Sequence, residues 1–533
     1  MKKIKSLGVM IDCSRGAVYT VDALKTLFGY LARLGYQSVQ LYTEDTYEIA
    51  EEPFFGYLRG RYTHAELKEL DAYARECGLE LIPCIQTLAH LGGVTRWPEY
   101  NRDCVDVGDI LLAEEERTYT LIENMFKACS ECFTSRRMNI GMDEAHMVGL
   151  GRYLDLHGYR QRFDILLNHL KRVSAIAERY NFRLMMWSDM FFRLLNNGGY
   201  YCSDSNIPQE VLDLIPENIE LIYWDYYSTE KQHYDSMIRA HKQFRNKIVF
   251  AGGAWSWSGF IPCNRFSILA WENAMSACTE NGIGETFVTC WKDDGAECSL
   301  FSTLPTLVSV SEFARGNFDK EYISRKFRRL TGMDMELFLR MEDANLGKKG
   351  GLQNPSKYML YSDPFLGFLD ETACGVQECV FAKIGADLKR GEANRRFGYI
   401  FKTVRALCNV LEMKYTLGLR TRKGYRDNDK REIAELIVRY REAEIRVKNL
   451  YSCFMAQWDK ECKLNGFEVH DIRLGGLICR LRHCRKVLED YLAGKITCIP
   501  SLEEKILPYD GHKPGESFNY NNWLKEAVIK ATM

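Results

Sequence analysis

A chain of 533 residues exceeds the length at which one hydrophobic core keeps growing, so two domains, or one large barrel with an appendage, are expected. With 46% apolar residues, 27% charged residues and a formal net charge of -1, the composition is that of an ordinary globular protein and offers no basic field for nucleic acid. No apolar stretch approaches the roughly 20 residues that a membrane span needs, and Met1-Lys2-Lys3-Ile4-Lys5 runs at once into a strand-like stretch without the apolar region and cleavage site of a signal peptide.

From residue 6 to about 315, short β-rich apolar runs alternate with amphipathic helical stretches. Strands are predicted at 7–13, 38–42, 79–85, 138–142, 183–187, 219–224, 247–251 and 285–291. Helices are predicted where apolar residues recur at spacings of three and four, as in Leu24, Leu27, Phe28, Leu31 and again in Phe163, Leu166, Leu167, Leu170. Runs that are apolar throughout, rather than alternating, are what parallel strands covered on both faces require. Eight such units predict an α/β fold with a (β/α)8 TIM barrel over residues 1–315. A doubly wound sheet is the alternative, but no glycine-rich phosphate loop opens a helix.

After about residue 316 strand-like runs almost vanish, and Ile400, Val404, Leu407, Leu411, Tyr415 and Ile433, Leu436, Ile437, Tyr440 keep a helical period. Residues 316–533 are therefore expected to form a mainly helical domain, with the charge-rich stretch 420–432 as a solvated connection between helices. The 19 cysteines lie mostly inside apolar patterns, which suits reduced core thiols and a cytoplasmic location. Cys129 and Cys132 form a lone CxxC, and Cys479, His483 and Cys484 lie close together. A metal site needs four ligands and neither group has a second pair nearby, so no metal is expected, nor any cofactor.

In (β/α)8 enzymes the chemistry sits at the C-terminal ends of the strands, so those ends are read as one set. They are Asp12-Cys13-Ser14-Arg15, Glu44-Asp45, Gln86-Thr87-Leu88-Ala89-His90, Asp143-Glu144, Trp187-Ser188-Asp189, Trp224-Asp225-Tyr226-Tyr227, Trp255-Ser256-Trp257 and Trp291-Lys292-Asp293-Asp294. Five of the nine tryptophans fall at the ends of four consecutive strands. That suits a sugar, whose apolar ring face needs flat aromatic walls and whose hydroxyl rim needs planar or charged partners.

Asp143 and Glu144 are adjacent, and an N-cap acid followed by a first-turn acid would explain such a pair if it stood alone. Glycosidic cleavage usually employs two carboxyls on opposite sides of the anomeric carbon, which neighbours cannot easily straddle. Adjacent acids fit instead the substrate-assisted exception, in which the sugar's own 2-acetamido oxygen attacks C1.

On these residues the sequence resembles the family-20 glycoside hydrolases, the β-N-acetylhexosaminidases, in particular a short bacterial-type branch of exo-acting enzymes, over roughly residues 6 to 310. The resemblance implies that Glu144 is the general acid/base and Asp143 the acetamido orienter. It implies that Arg15 grips the 3- and 4-hydroxyls, that Glu44 and Asp45 form an acidic pair, and that His90 tunes the acid through that pair. Trp187, Trp224 and Trp291 are implied to wrap the N-acetyl group, and Asp293 to bind the 4- and 6-hydroxyls.

The chain departs from the family pattern at several places. Gly141-Met142 stands for the usual Gly-Gly, and Gln86 for the acid four residues before the histidine. Ser256 follows Trp255 where the acetamido-binding tyrosine is usual, which leaves Tyr226 or Tyr227 for that role. Strand 1 begins almost at Met1, so the small α+β domain that often precedes the barrel is not expected, through the branch's nature or an internal start.

The expected activity is retaining release of terminal β-linked GlcNAc, with GalNAc left open, from an oligosaccharide or glycoconjugate. No nucleic-acid or membrane partner is expected, and a homodimer through the helical domain stays open. The alternatives are a retaining glycosidase with separated acids such as Glu144 and Glu297, and a catalytically silent sugar-binding barrel.

Overall fold

The computed structural model describes residues 4–202, 207–293, 295–346 and 354–507. Among the described residues ten strands occur in chain order: β1 (Ser6–Asp12), β2 (Ser38–Tyr42), β3 (Glu80–Cys84), β4 (Val105–Val107), β5 (Ile110–Leu111), β6 (Arg137–Asn139), β7 (Arg183–Trp187), β8 (Glu220–Trp224), β9 (Ile248–Gly253) and β10 (Glu285–Cys290). Eight of them close into a barrel in the order β1-β10-β9-β8-β7-β6-β3-β2, and every pairing in it is parallel. β4 and β5 form a small antiparallel hairpin in the connection from β3 to β6, which the apolar pattern did not signal. The fold is thus the expected (β/α)8 barrel followed by a helical C-terminal region.

The strands are buried on both faces, as their unbroken apolar runs require; β2, β9 and β10 have every residue buried. One run ends early. The predicted strand at 138–142 stops at Asn139, because Gly141 (φ 73°) and Met142 (φ 67°) adopt left-handed backbone that leaves the pleat.

Helix Val21–Leu34 shows how the crossovers form. Thr20 caps it by accepting a hydrogen bond from the Ala23 N–H, and Gly35 ends it at φ 80°. The predicted stripe Leu24, Leu27, Phe28, Leu31 is buried, and each such side chain contributes about 1.5 to 3 kcal/mol. Helix His64–Glu76 opens with a reciprocal capping box between Thr63 and Glu66. No helix among the described residues is long and apolar enough to cross a membrane.

The chain divides into two compact units. One takes in Met1–Trp255, Phe266–Trp291 and Thr306–Lys326; the other takes in Ser256–Arg265, Lys292–Pro305 and Phe327–Met533. In the second unit the long helix Lys430–Glu461 is capped by Asp429 and buries Ile433, Leu436, Tyr440, Val447, Leu450 and Phe454 at helical spacing. The stretch 420–432 is mostly helix rather than connection: Leu417–Arg426 is helical, only residues 427–429 link it to the next helix, and Arg420 pairs with Glu432 at 2.8 Å.

At the N-terminal end of the barrel, Arg137 of β6 bridges Glu220 of β8 (2.7 Å) and Glu285 of β10 (2.6 Å), and Lys247 reaches both acids. Arg137 and Glu285 are each only 10% exposed, so removing Arg137 leaves a desolvated carboxylate held by the half-exposed Lys247 alone. Arg137→Met is therefore expected to lower stability by about 3 kcal/mol, read from the midpoint of chemical denaturation. A loss below about 0.5 kcal/mol would show that solvent already screens this cluster.

Candidate active site

At the other end of the barrel the backbone beyond β6 makes a tight exit. Gly141, Met142 and Glu144 all have positive φ, the last at 52°. A Cβ on Gly141 would lie 1.9 Å from Gln86 Oε1, so only glycine lets the Gln86 amide lie against this turn. The Met142 N–H donates to Gln86 Oε1 (3.1 Å), and Gln86 Nε2 donates to Asp143 Oδ1 (2.7 Å) and to the Tyr42 hydroxyl (3.0 Å). The Tyr42 hydroxyl in turn donates to Glu44 Oε1 (2.9 Å), which Arg15 meets at 3.1 Å. Glu44 (φ 47°) and His90 (φ 59°) are also left-handed. Four non-glycine residues at about 1 to 3 kcal/mol each concentrate backbone strain at these strand ends.

The charges are unequal by construction. Asp143 is 8% exposed, and burial alone would lift its carboxyl; His90, with Nε2 3.2 Å from Oδ2, and the Gln86 amide hold it below the ordinary aspartate value instead. Burial would depress His90, but Asp143 and Glu44 outweigh it and push the imidazole up to about 10. At neutral pH the pair is imidazolium and carboxylate. Glu144 lies 3.8 Å from the same His90 nitrogen, and its side chain is 40% exposed. Glu44 is raised by burial against the pull of Arg15, and Asp45 by burial against that of Arg59, which it meets at 3.1 Å.

Behind the acids sits Asp189, fully buried at the start of helix Asp189–Leu195. Its Oδ2 accepts from the Glu144 N–H (3.1 Å) and from Arg193 Nε (2.9 Å), while Arg193 reaches Glu144 Oε1 at 3.3 Å. Burial and the charges of Asp143 and Glu144 push Asp189 up to about 7.

Aromatic rings form the wall. Trp187 is 1% exposed and packs on Phe287 (5.8 Å between ring centres) and Trp291 (5.9 Å); Tyr42 meets Trp291 edge-on at 4.7 Å. The Trp187 indole N–H is buried without a partner among the described residues. Trp224 stacks on Tyr226 at 5.3 Å and an interplanar angle of 20°, and the Tyr226 hydroxyl is tied to Trp291 and Thr289. Tyr227 is exposed and meets Trp255 edge-on at 5.4 Å.

The sequence-predicted residues Asp143, Glu144, Gln86, His90, Glu44 and Arg15 thus form one network, and Trp187, Trp224, Tyr226 and Trp291 one aromatic wall. Asp45 follows Glu44 and pairs with Arg59. Asp293 is half-buried and belongs to the second unit. Sequence reasoning missed Tyr42, Asp189 and Arg193 as members of the site. A signal existed: Asp189 ends the β7 strand-end run, and Arg193 stands at i+4 from it on the following helix.

Residues 37–244 match the model of the glycosyl hydrolase family 20 catalytic domain, and residues 338–521 match that of the Glycoside Hydrolase 20C C-terminal domain. Hexosaminidase D from Bos taurus is 24% identical over 259 residues, which span 46% of this chain and 68% of that protein. Hexosaminidase D from Homo sapiens is 25% identical over 228 residues, 40% of this chain and 43% of that protein. Among solved structures, the β-N-acetylhexosaminidase from Bacteroides fragilis NCTC 9343 superposes with a TM-score of 0.48 at 17% identity, covering 62% of this chain and 70% of that one.

The His90–Asp143 pair makes stability depend on pH. A histidine whose pKa rises on folding stabilises the fold fully below its unfolded value of about 6.5, and loses that contribution as pH climbs through its folded value, here about 10. The gap in Tm between the wild type and His90→Gln is expected to be widest at pH 6 and to close towards pH 10. A gap independent of pH would show that His90 is not charged in the folded protein.

Proposed function

Because the chain belongs to glycoside hydrolase family 20, we propose that this member of its β-hexosaminidases is an exo-enzyme that releases terminal, non-reducing β-linked GlcNAc with net retention, by a substrate-assisted mechanism. The observation that carries the reading is the unequal pair after β6: Asp143 buried, ionised and held by two partners, and Glu144 beside it, 40% exposed. An ordinary retaining pair needs carboxyls about 5 to 5.5 Å apart on opposite faces of the sugar. Glu297, the second carboxyl that such a mechanism would recruit, is ion-paired with Lys357 at 2.8 Å in the second unit, both side chains 1% exposed.

In the first step Glu144 gives its proton to the glycosidic oxygen as the C1–O bond breaks, and the 2-acetamido oxygen closes onto C1. Asp143 accepts the acetamido N–H, and its charge offsets the positive charge that grows on the ring being formed. His90 and Gln86 keep Asp143 ionised and aimed. Water then attacks C1, Glu144 takes back a proton, and two inversions give net retention. Trp187, Trp224, Trp291 and Tyr226 hold the acetamido group under C1, which turns attack into an oriented intramolecular step that can supply roughly 7 to 11 kcal/mol of the barrier. Arg15 presents its fork to the ring hydroxyls beside Glu44. None of the 19 cysteines forms a disulfide, which favours a reducing compartment such as the cytoplasm.

The deciding experiment compares chromogenic β-GlcNAc, β-GalNAc and β-glucose substrates, with a thiazoline fused to GlcNAc as a stable mimic of the cyclic intermediate. Cleavage of the N-acetylated substrates alone is expected, with the thiazoline binding far more tightly than GlcNAc and losing that advantage in Trp224→Ala and Trp291→Ala. Efficient cleavage of the glucoside would sink the mechanism.

Glu144→Gln should lower kcat/KM for substrates with poor leaving groups by roughly 10²- to 10⁴-fold and spare kcat/KM for activated phenols. Asp143→Asn should reduce kcat much more than it changes KM, since its partner charge exists only in the transition state. An effect of Asp143→Asn confined to KM would contradict the role assigned to it.

A further inference from the structure

Glu144 has little to hold it in one orientation. Its side chain is 40% exposed, its backbone is left-handed, and packing does not enclose it. Yet an acid that must meet one oxygen atom needs a defined direction. The group that supplies direction is Arg193, whose guanidinium is only 16% exposed and spans two carboxyls, Nε to Asp189 at 2.9 Å and one terminal nitrogen to Glu144 Oε1 at 3.3 Å. The other terminal nitrogen donates to the Gly198 carbonyl (3.3 Å), and the guanidinium carbon lies 5.6 Å from the Tyr200 ring centre and 5.8 Å from that of Trp224.

Asp189 is the anchor. It is fully buried, it holds the Glu144 N–H at 3.1 Å as well as Arg193, and its Oδ1 has no hydrogen-bond partner among the described residues. One carboxyl therefore fixes both the backbone of Glu144 and the cation that grips its side chain.

We propose that Arg193, anchored by Asp189, is a positioning residue that aims the Glu144 carboxyl at the leaving-group oxygen. The proposal rests on the reading of Glu144 as the acid/base. As Glu144 surrenders its proton it becomes an anion beside a cation already in place, so the fork that orients the acid also receives its charged form. Arginine suits this task because its planar fork serves two carboxylates at once, whereas a lysine ammonium would hold one and leave the other to drift.

The test is the dependence of kcat/KM on the leaving group, measured on β-N-acetylglucosaminides of an aliphatic alcohol and of a dinitrophenol for the wild type, Arg193→Ala, Arg193→Lys and Glu144→Gln. Arg193→Ala is expected to lose about 10- to 100-fold on the alkyl glycoside, a part of the range of general acid catalysis, and less than about threefold on the dinitrophenyl glycoside. Added guanidinium should restore part of the loss, and Arg193→Lys should fall between. Equal losses on both substrates, or no loss, while Glu144→Gln remains selective, would overturn this inference alone. A Glu144→Gln variant that is itself unselective overturns the reading of the acid and this inference with it. A purely structural role would lower Tm and scale both substrates down together.

Discussion

Keeping one carboxylate ionised where water is excluded is the constraint on which this site depends. Asp143 sits in the barrel mouth at 8% exposure, and desolvation of that kind ordinarily neutralises an acid. The His90 imidazolium at 3.2 Å and the Gln86 amide at 2.7 Å reverse the outcome. Gln86 matters as an amide, because a carboxylate in its place could not donate. Its geometry in turn requires the bare Cα of Gly141, and its second donor engages Tyr42, which orients Glu44 towards Arg15.

The two ends of the barrel divide the work. At the foot, Arg137, Lys247, Glu220 and Glu285 tie β6, β8, β9 and β10 together with partly buried charge and no unusual backbone. At the mouth, Glu44, His90, Met142 and Glu144 all carry left-handed backbone, a cost that a rigid closed sheet can sustain. Strain is placed where side chains must leave the strand direction to face one another.

Three carboxyls, Asp143, Glu144 and Asp189, are gathered in one place, with His90 and Arg193 as the cations between them. Their environments push them apart: Asp143 is drawn down by its partners, while Asp189 is driven up to about 7 by burial and by its neighbours. Around them the aromatic wall serves two purposes. Trp187 and Trp291 fill the top of the barrel core, and Trp224 with Tyr200 also flanks the Arg193 guanidinium. Some rings of the wall thus pack the barrel end, and others confine a charged side chain.

Much of this was legible in the residues themselves. Eight apolar runs, buried on both faces, specify a parallel barrel, because strand and helix periods are local properties, and the acids and tryptophans at their ends make up the site proposed for its chemistry. The adjacency of Asp143 and Glu144 was likewise visible without coordinates. Tertiary structure decided what periodicity cannot express. The strand carrying the acids ends at Asn139, since two left-handed residues follow it, and stretch 420–432 is mostly helix because the helix Leu417–Arg426 runs into it and Asp429 caps a new helix from Lys430. Tyr42, Asp189 and Arg193 joined the site only through contacts made across strands or one helical turn. Which of two neighbouring acids is buried, and which oxygen each partner grips, depends on distances between strands far apart in sequence, and the order of residues along the chain carries no such distances.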